Sequence, residues 1–243
     1  MDIEKSFTFP FEDKEWVTKL GLGAVISMVP ILNFAWSGYL VGILRNVMNH
    51  ATEPLPAWDD LGKAFSDGLI LFAAGLIYAL PVLILLCLPL GIMAFSGILS
   101  GNSTMEEVAR MMAEAGGALF LGLLCVFLLY GMALSVIYPA ILVMFSREGT
   151  LAACFKLREA FNIISRNAGP FFTAWSLSLA AGLGVGLVVG FVNAVVSWIP
   201  CLGWIIGLAL SLASGAYIGV VYAHLFGQFG RVAFDQNQLA PAS

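Results

Sequence analysis

The chain has 243 residues, of which 60% are hydrophobic and only 11% are charged, and its mean hydropathy is +0.94. Because an ordinary soluble domain carries about 25% charged residues, this composition excludes a soluble globular protein. The formal net charge of −4, without any block of like charge, also excludes the basic surface that nucleic-acid binding requires.

Charged residues are absent from four stretches of the sequence, residues 20–44, 68–105, 115–146 and 167–230. A helix needs about 20 apolar residues to cross a bilayer, so the first three stretches can each cross once and the last can cross twice. The sequence therefore predicts an all-α, polytopic membrane protein with four full spans after residue 45. We expect residues 1–243 to form a single integral membrane domain in the cell membrane.

The two ends of the chain are predicted to lie outside the spans. In residues 1–16, three phenylalanines at alternate positions precede a charged run and Trp16, and aromatic residues of this kind favour the membrane interface. The first 19 residues contain eight charges where a secretory signal peptide would have an apolar core. Residues 231–243 are predicted to form a polar carboxyl-terminal tail.

Two interpretations of residues 20–44 are open, a re-entrant hairpin and a fifth span. Pro30 removes a helix hydrogen bond near the middle of the segment, and Asn33 needs a polar partner there. A hairpin leaves only Arg110 outside and ten Lys and Arg residues inside, whereas a single span gives seven against four. The positive-inside rule favours the hairpin, but a length of 25 residues suits one crossing. Both interpretations place the carboxyl terminus in the cytoplasm.

Two amphipathic helices are predicted at the inner membrane surface, one in the connection 45–67 and one over residues 149–168. In both segments apolar residues recur at helical spacing opposite polar residues. The apolar faces consist of Leu55, Trp58, Leu61 and Phe65 in the first helix, and of Cys154, Leu157, Phe161 and Ile164 in the second.

Small residues recur at every fourth position in both halves of the stretch 167–230, on either side of a predicted turn at residues 197–203. This spacing lets helix backbones approach closely. We expect the two ridges to pack the last two helices together; a contact with a second copy or a glycine-lined path between gating helices are the alternatives. The residues expected in this packing are Ser178, Gly182, Gly186, Gly190, Gly203, Gly207, Ser211, Gly215 and Gly219.

Few side chains of this sequence carry reactive chemistry. His224, the only ionisable candidate within the spans, suits either proton transfer or a hydrogen bond at the interface. Asp59 and Asp60, beside Trp58, suit either a surface carboxylate site or a helix cap, and Asn33 is a polar group in an apolar segment. No catalytic, metal or cofactor site is predicted, because the two histidines and four separated cysteines have no ligand spacing.

Residues of the amino-terminal half resemble a known family. The chain contains, in order, Trp16, Lys19, Pro30-Ile31-Leu32-Asn33, Gly38-Tyr39, Leu55-Pro56-Ala57-Trp58-Asp59-Asp60, Asp67-Gly68, Tyr78 and Pro81. This order resembles the bacterial and archaeal membrane proteins grouped as domain-of-unknown-function family 4013, over nearly the whole chain. The family pattern has Glu where this chain has Ala57, and this departure argues against an essential carboxylate at that position.

The resemblance implies no activity, so the expected function follows from the residues. Strong packing patterns without a chemical constellation favour a non-enzymatic scaffold or accessory subunit that organises membrane partners or lipids. The alternative is a small transporter or channel for an uncharged or lipidic solute, since no Asp, Glu, Lys or Arg lies within the spans. The expected partners are membrane lipids and either another protein or a second copy of the chain, and not nucleic acid.

Overall fold

The computed structural model describes residues 1–99, 105–199 and 201–239, and within these ranges it contains helices and no β-strand. Four of the helices in these ranges are long and apolar enough to cross a membrane, over Leu61–Leu85, Leu121–Glu148, Ala168–Val196 and Leu202–Asp235. The predicted all-α fold with four apolar spans is confirmed. The helices are α1 (Ile3–Glu12), α2 (Trp16–Met28), α3 (Asn33–Met48), α4 (Leu61–Leu99), α5 (Met105–Glu148), α6 (Leu157–Arg166), α7 (Ala168–Val196) and α8 (Leu202–Leu239).

Internal contacts divide the chain into two units, one of residues 1–72 with 137–243 and one of residues 73–136. In the smaller unit, α4 and α5 are joined by a hydrogen bond of 2.6 Å from the Tyr130 hydroxyl to the backbone oxygen of Tyr78. The larger unit contains the beginning of α4, the end of α5, the other helices and all the sites described below.

Residues 20–44 contribute to a helical hairpin and not to one continuous helix. α2 ends at Met28 and α3 begins at Asn33, because Pro30 lacks an N–H and favours an extended conformation at Val29, where ψ is 117°. The two helices face each other, since a Cβ at Gly23 on α2 would overlap the ring of Trp36 on α3. The single-span interpretation of this segment is therefore wrong.

The hairpin is shorter than the span on which it packs. α3 runs parallel to the carboxyl-terminal half of α8, with Leu40 beside Gly219 and Val47 beside Gly227. Between Leu40 and the hairpin turn α3 has seven residues (33–39), whereas α8 has 17 residues (202–218) before Gly219. At about 1.5 Å per residue, the hairpin tip stops about 15 Å short of the level at which α8 begins.

Two glycines allow α3 to cross the beginning of α4 with the backbones in contact. A Cβ at Gly38 would overlap the backbone oxygen of Ala64, and a Cβ at Gly68 would overlap that of Phe34. Because the atoms in the way are backbone oxygens, a side chain at either position cannot be accommodated by a rotamer change. The Gly38-Tyr39 and Asp67-Gly68 pairs of the sequence thus mark one helix crossing.

A partly buried ion pair lies next to this crossing. The Arg45 guanidinium on α3 donates to the Asp67 carboxylate on α4 at 3.2 Å from both terminal nitrogens. Its Nε also donates to the backbone oxygen of Ser146, near the end of α5, at 2.9 Å. One side chain thereby links three helices of the larger unit.

The connection 45–67 contains no separate amphipathic helix. Residues 51–60 are irregular, because Pro54 and Pro56 lack backbone donors and disfavour helix in the residues before them, and Leu61 already belongs to α4. Leu55 is buried whereas Leu61 is exposed, so the two do not share a packed face. The first of the two predicted surface helices is therefore wrong.

A helix does form within residues 149–168, but its buried side differs from the predicted one. α6 follows a 3₁₀ turn at Leu151–Phe155, in which Cys154 is buried. The buried stripe of α6 contains Ala160, Ile163 and Ile164, whereas Leu157 and Phe161 are exposed. Packing has selected the neighbouring stripe, so only Cys154 and Ile164 of the predicted apolar face are covered.

The small-residue ridges of α7 and α8 do not pack against each other along their length. At Gly182, Gly186, Gly190 and Gly215, no neighbouring atom of the described residues lies within 4 Å of the position that a Cβ would take. α7 is half-buried instead on the adjacent side, which carries Val185. α7 and α8 pack against each other, as expected, but these four glycines make no close contact between them in the part of the chain that the structure describes.

The other residues of the ridges lie in different surroundings. A Cβ at Gly203 would overlap the Val196 backbone at the turn between α7 and α8, and one at Gly207 would lie 2.9 Å from Asn193 Oδ1. In the same region the Asn193 side-chain nitrogen donates to Ser211 Oγ at 3.0 Å. Gly219 faces α3, as described above, and Ser178 is half-buried on α7.

Both ends of the chain are helical where they are described. Residues 1–16 contain α1, and residues 231–239 of the predicted tail continue α8, whereas 240–243 lie outside the described residues. Ala233 is buried, and the Arg147 guanidinium lies 4.3 Å from the centre of the Phe234 ring. The tail is therefore partly packed against the end of α5.

Candidate functional site

Trp58 holds the irregular loop 51–60 on the helical hairpin. Its ring stacks on Tyr39 with centroids 4.2 Å apart and 8° between the planes, and its Nε1 donates to the backbone oxygen of Lys19 at 3.0 Å. The Lys19 ammonium in turn donates to the backbone oxygen of Leu55 at 3.3 Å. These four residues, Lys19, Tyr39, Leu55 and Trp58, are called the tryptophan cluster below. Because Lys19 is on α2 and Tyr39 on α3, both helices of the hairpin contact the same loop.

The Lys19 ammonium is nearly buried, and Asp13 neutralises it. The two charged groups are 2.7 Å apart, with side chains 10% and 11% exposed. Burial opposes ionisation of Asp13, but hydrogen bonds from Lys19 and the Glu15 backbone N–H, with the Lys19 charge, hold its pKa below the usual 3.8. A carboxylate held in this way stabilises the contact between hairpin and loop and is no proton donor at neutral pH.

The acidic pair beside Trp58 lies at the beginning of α4. The Asp60 carboxylate accepts a hydrogen bond of 2.9 Å from the backbone N–H of Lys63, which is the N-cap geometry of a helix that begins at Leu61. Asp59 is exposed beside it, and Asn33 is exposed at the beginning of α3. For the pair Asp59 and Asp60, the geometry supports the helix cap and not a carboxylate site.

His224 is buried between α1 and α8. Its ring stacks on Phe9 with centroids 4.2 Å apart, and its Nδ1 lies 3.0 Å from Ser6 Oγ. Four residues form the polar network to which it belongs: Asp2, Ser6, His224 and Gln228. Ser6 Oγ donates to the backbone oxygen of Asp2 at 3.2 Å, and the Gln228 amide nitrogen lies 3.2 Å from His224 Nδ1.

Gln228 completes the polar network on the same side of α8. Its amide nitrogen donates to the backbone oxygen of Asp2 at 2.8 Å and to Ser6 Oγ at 3.0 Å. Its Oε1 accepts from the backbone N–H of Asp2 at 2.6 Å. Buried networks of this kind fix one arrangement of the groups they join. The network therefore attaches α1 to α8, which agrees with the hydrogen-bonded interpretation of His224.

A cavity of about 440 Å³, called the amino-terminal cavity below, opens beside the polar network. Its buried floor contains His224 and Gln228, which are 3% and 2% exposed, and its more exposed wall contains Lys5, His50 and Arg231. The other lining residues are Asp2, Val47, Ala51, Thr52 and Pro54.

The sequence gives little sign of this cavity. The four-residue spacing of His224 and Gln228 places them on one side of a helix, which is a readable signal. Lys5 and Arg231, in contrast, are 226 positions apart, and only the docking of α1 on α8 brings them to one cavity. Of the other predicted site residues, Trp58 lies in the tryptophan cluster and Asn33, Asp59 and Asp60 line no part of the cavity.

The side chains at these sites offer charges and hydrogen bonds. Among residues 1–99, 105–199 and 201–239, no three His, Cys, Asp or Glu side chains are placed to hold a metal ion. The amino-terminal cavity offers cationic and hydrogen-bond-donating side chains, which suit an anionic group. The tryptophan cluster is closed by its own contacts and positions the loop that forms one wall of the cavity.

Together these features define a polytopic helical membrane protein whose α1, hairpin and loop pack around the carboxyl-terminal half of its last span. The model of the family described as "Protein of unknown function (DUF4013)" matches residues 22–194, and the chain belongs to this family. The resemblance found in the sequence is thereby confirmed. The matched range includes Tyr39 and Trp58, while Lys5, His224 and Arg231 lie outside it. Neither the curated proteins nor the solved structures give a match.

Proposed function

We propose that the protein is a non-enzymatic membrane scaffold or accessory subunit that organises a partner or lipids in the bilayer. The observation that carries this proposal is the uncovered small-residue ridge on α7. At Gly182, Gly186 and Gly190, no atom of the described residues lies within 4 Å of the position that a Cβ would take, and the most apolar 18 residues of α7 include no buried residue among those described.

A ridge of this kind suits another membrane helix better than lipid. Lipid chains are as apolar as leucine, so association of helices depends on close backbone packing, which small residues at a spacing of four permit. Leu183 and Leu187 flank the ridge and are exposed, and they provide the walls of a shallow groove. The proposed occupant is a transmembrane helix of another subunit, with a second copy of this chain as the other outcome.

The test compares two glycines on opposite sides of α7. Gly186 belongs to the ridge, whereas Gly184 is equally open but faces away from it. After purification in mild detergent, the wild type and Gly184→Leu should carry a stoichiometric protein partner or form a dimer, and Gly186→Leu should lose it. A wild type without partner or dimer contradicts the proposal, as does equal retention by both variants. Turnover of a lipid group that persists through stringent purification contradicts the non-enzymatic part.

The transporter alternative makes a different prediction for the same residues. If the glycines were sliding surfaces for a transporter of an uncharged or lipidic solute, the purified protein alone would move that solute across liposomes. Gly186→Leu and Gly215→Leu would then stop the flux while leaving the purified particle unchanged in size. The accessory-subunit proposal predicts no flux from the protein alone.

The proposal includes an orientation in the cell membrane. The hairpin, about 20–24 Å long at 1.5 Å per residue, is shorter than a hydrocarbon core of about 30 Å, which supports a re-entrant hairpin. With α1, α6 and the end of α8 on the cytoplasmic side, the Lys and Arg residues follow the positive-inside rule. α6, with exposed Leu157 and Phe161, would rest on the inner membrane surface.

Cysteine labelling tests this orientation. Cys201, at the turn between α7 and α8, is exposed. In a variant that retains only this cysteine, a membrane-impermeant maleimide should label intact cells. A cysteine introduced at the exposed Asn162 of α6 in a cysteine-free background should react only after permeabilisation. The reverse pattern contradicts the orientation.

A further inference from the structure

The amino-terminal cavity carries more positive charge than its own residues neutralise. Lys5 projects from α1 and Arg231 from α8, and neither forms an ion pair with a described residue. His50 Nε2 lies 3.9 Å from Asp235 on α8, and both side chains are more than half exposed. Among the described residues, Asp2 is the one carboxylate that lines the cavity, and it also accepts a hydrogen bond from the Lys5 backbone N–H at 3.0 Å.

The cavity is built from several elements that hold its walls in place. The polar network fixes α1 on α8, and the tryptophan cluster fixes the loop that supplies Thr52 and Pro54. His50 at the end of α3 has a φ of 56°, a left-handed conformation that helix ends usually give to glycine. The histidine in that conformation adds ring nitrogens to the wall, which a glycine would lack.

We propose that the amino-terminal cavity binds a phosphate group between Lys5 and Arg231, either from a phospholipid headgroup or as free phosphate. Lysine and arginine bind phosphate oxygens through charge-assisted hydrogen bonds, and the Thr52 hydroxyl and His50 ring supply further polar contacts on the same wall. A cavity of about 440 Å³ lies within the usual size of small-ligand sites, roughly 300–1,000 Å³, and has room for a headgroup beyond the phosphate.

The position of the cavity agrees with a lipid source. It lies at the end of α8 that carries Arg231 and Asp235, where the apolar span gives way to charged residues. Lipid phosphates lie at that depth in a bilayer. The inference goes beyond the proposed function, because the cavity contains no residue of α7 and a failure at either site leaves the other untouched.

The test measures binding of three probes to the full-length protein in detergent, at constant ionic strength. The probes are inorganic phosphate, short-chain phosphatidic acid and the matching diacylglycerol, which lacks the phosphate. Phosphatidic acid should bind, and Lys5→Gln and Arg231→Gln should each weaken binding by about tenfold or more, the effect of losing one charge-assisted hydrogen bond. Arg231→Lys should restore part of the affinity.

Lys14→Gln is the matched control for Lys5→Gln. Both lysines are exposed near the amino terminus, but Lys14 lines a neighbouring cavity of about 410 Å³, which shares Thr52 and Pro54 with the amino-terminal cavity and is otherwise acidic, with Glu12, Asp13, Glu15 and Glu53. Its replacement should leave binding unchanged. If inorganic phosphate binds as well and competes, free phosphate is identified as a ligand; binding of phosphatidic acid alone identifies the headgroup. Equal binding of diacylglycerol, or affinity unaffected by both Lys5→Gln and Arg231→Gln, would overturn the proposal.

Discussion

The two halves of α8 belong to one apolar candidate span but differ in their surroundings. In the carboxyl-terminal half, Phe226 and Phe229 are completely buried among α3, α7 and neighbouring residues, whereas Trp204 in the amino-terminal half is 79% exposed. The first half meets the carboxyl-terminal end of α7 at Gly203 and Gly207. Hydropathy therefore identifies a span but does not show which of its side chains contact protein and which face lipid.

What distinguishes the two halves is the set of elements packed beside them. The hairpin ends about seven residues beyond the level of Gly219 and about ten residues short of the beginning of α8, and α1 is attached at His224 and Gln228. Between the hairpin and its own beginning, α8 contacts α7. The polar network and the cavity thus lie beside the packed half, whereas the ridge proposed as an interface lies on α7, outside this packed region.

The largest expected effect on stability comes from Gly38 on α3, the helix that packs on the carboxyl-terminal half of α8. Gly38→Ala drives a Cβ into the backbone oxygen of Ala64, so it should lower the free energy of unfolding by about 3 kcal/mol, the upper part of the overpacking range. Gly186→Ala, the control on the uncovered ridge of α7, should leave stability unchanged or raise it by up to about 1 kcal/mol through helix propensity. Thermal unfolding in detergent measures both. Equal losses would show that the two regions do not differ in packing.

Breaking the Arg45–Asp67 pair should have the next largest effect. Asp67→Asn leaves the partly buried guanidinium without its counter-charge and should cost about 2 kcal/mol, between the values for exposed and buried pairs. Exchanging exposed Asp59 for Asn, the same chemical change eight positions earlier in the irregular loop, should cost less than about 0.5 kcal/mol. A loss at Asp59 as great as that at Asp67 would contradict the assignment of roles.

The Asp13–Lys19 pair predicts a dependence on pH. Because the folded state lowers the pKa of Asp13 below 3.8, its contribution to stability is complete above that value and is lost as the pH falls through the folded pKa. Asp13→Asn should therefore destabilise the protein at neutral pH, and the difference from wild type should narrow below about pH 4. Unfolding curves at several pH values measure this difference. A gap that stays constant down to pH 3 would mean that the carboxylate charge is unimportant.

The smallest effect on stability is expected at the hydrogen bond between α7 and the amino-terminal half of α8. Asn193 donates to Ser211 across the turn between α7 and α8 at 3.0 Å, and hydrogen bonds between membrane helices contribute about 0.6 kcal/mol on average. Ser211→Ala should therefore reduce stability by about that amount. Ser6→Ala, which removes a hydroxyl from the buried polar network, should cost more. The reverse order would argue against the contrast between the two halves.

Much of the fold could be predicted from the charge distribution and prolines. The uncharged stretches locate the four spans, and Pro30 with the balance of Lys and Arg favours the hairpin. The sequence does not reveal which side of a helix meets which neighbour. For Gly186 and Gly227 the spacing is the same, yet only Gly227 lies against another helix, because α3 happens to occupy that side.

The sites were less accessible to prediction for the same reason. His224 and Asp60 could be selected as polar groups in notable places, and the geometry shows a network member and a helix cap. Lys5 and Arg231 have no local pattern that connects them. Their shared cavity depends on the docking of α1, a contact between residues more than 200 positions apart.

Site-specific photo-crosslinking in native membranes tests the proposed interface on α7 most directly. A photoreactive side chain at position 186 should give one discrete crosslinked protein product, and the same group at position 184 should not. No protein adduct at 186, or adducts of equal yield at both positions, would contradict the assignment of the open ridge as a protein contact.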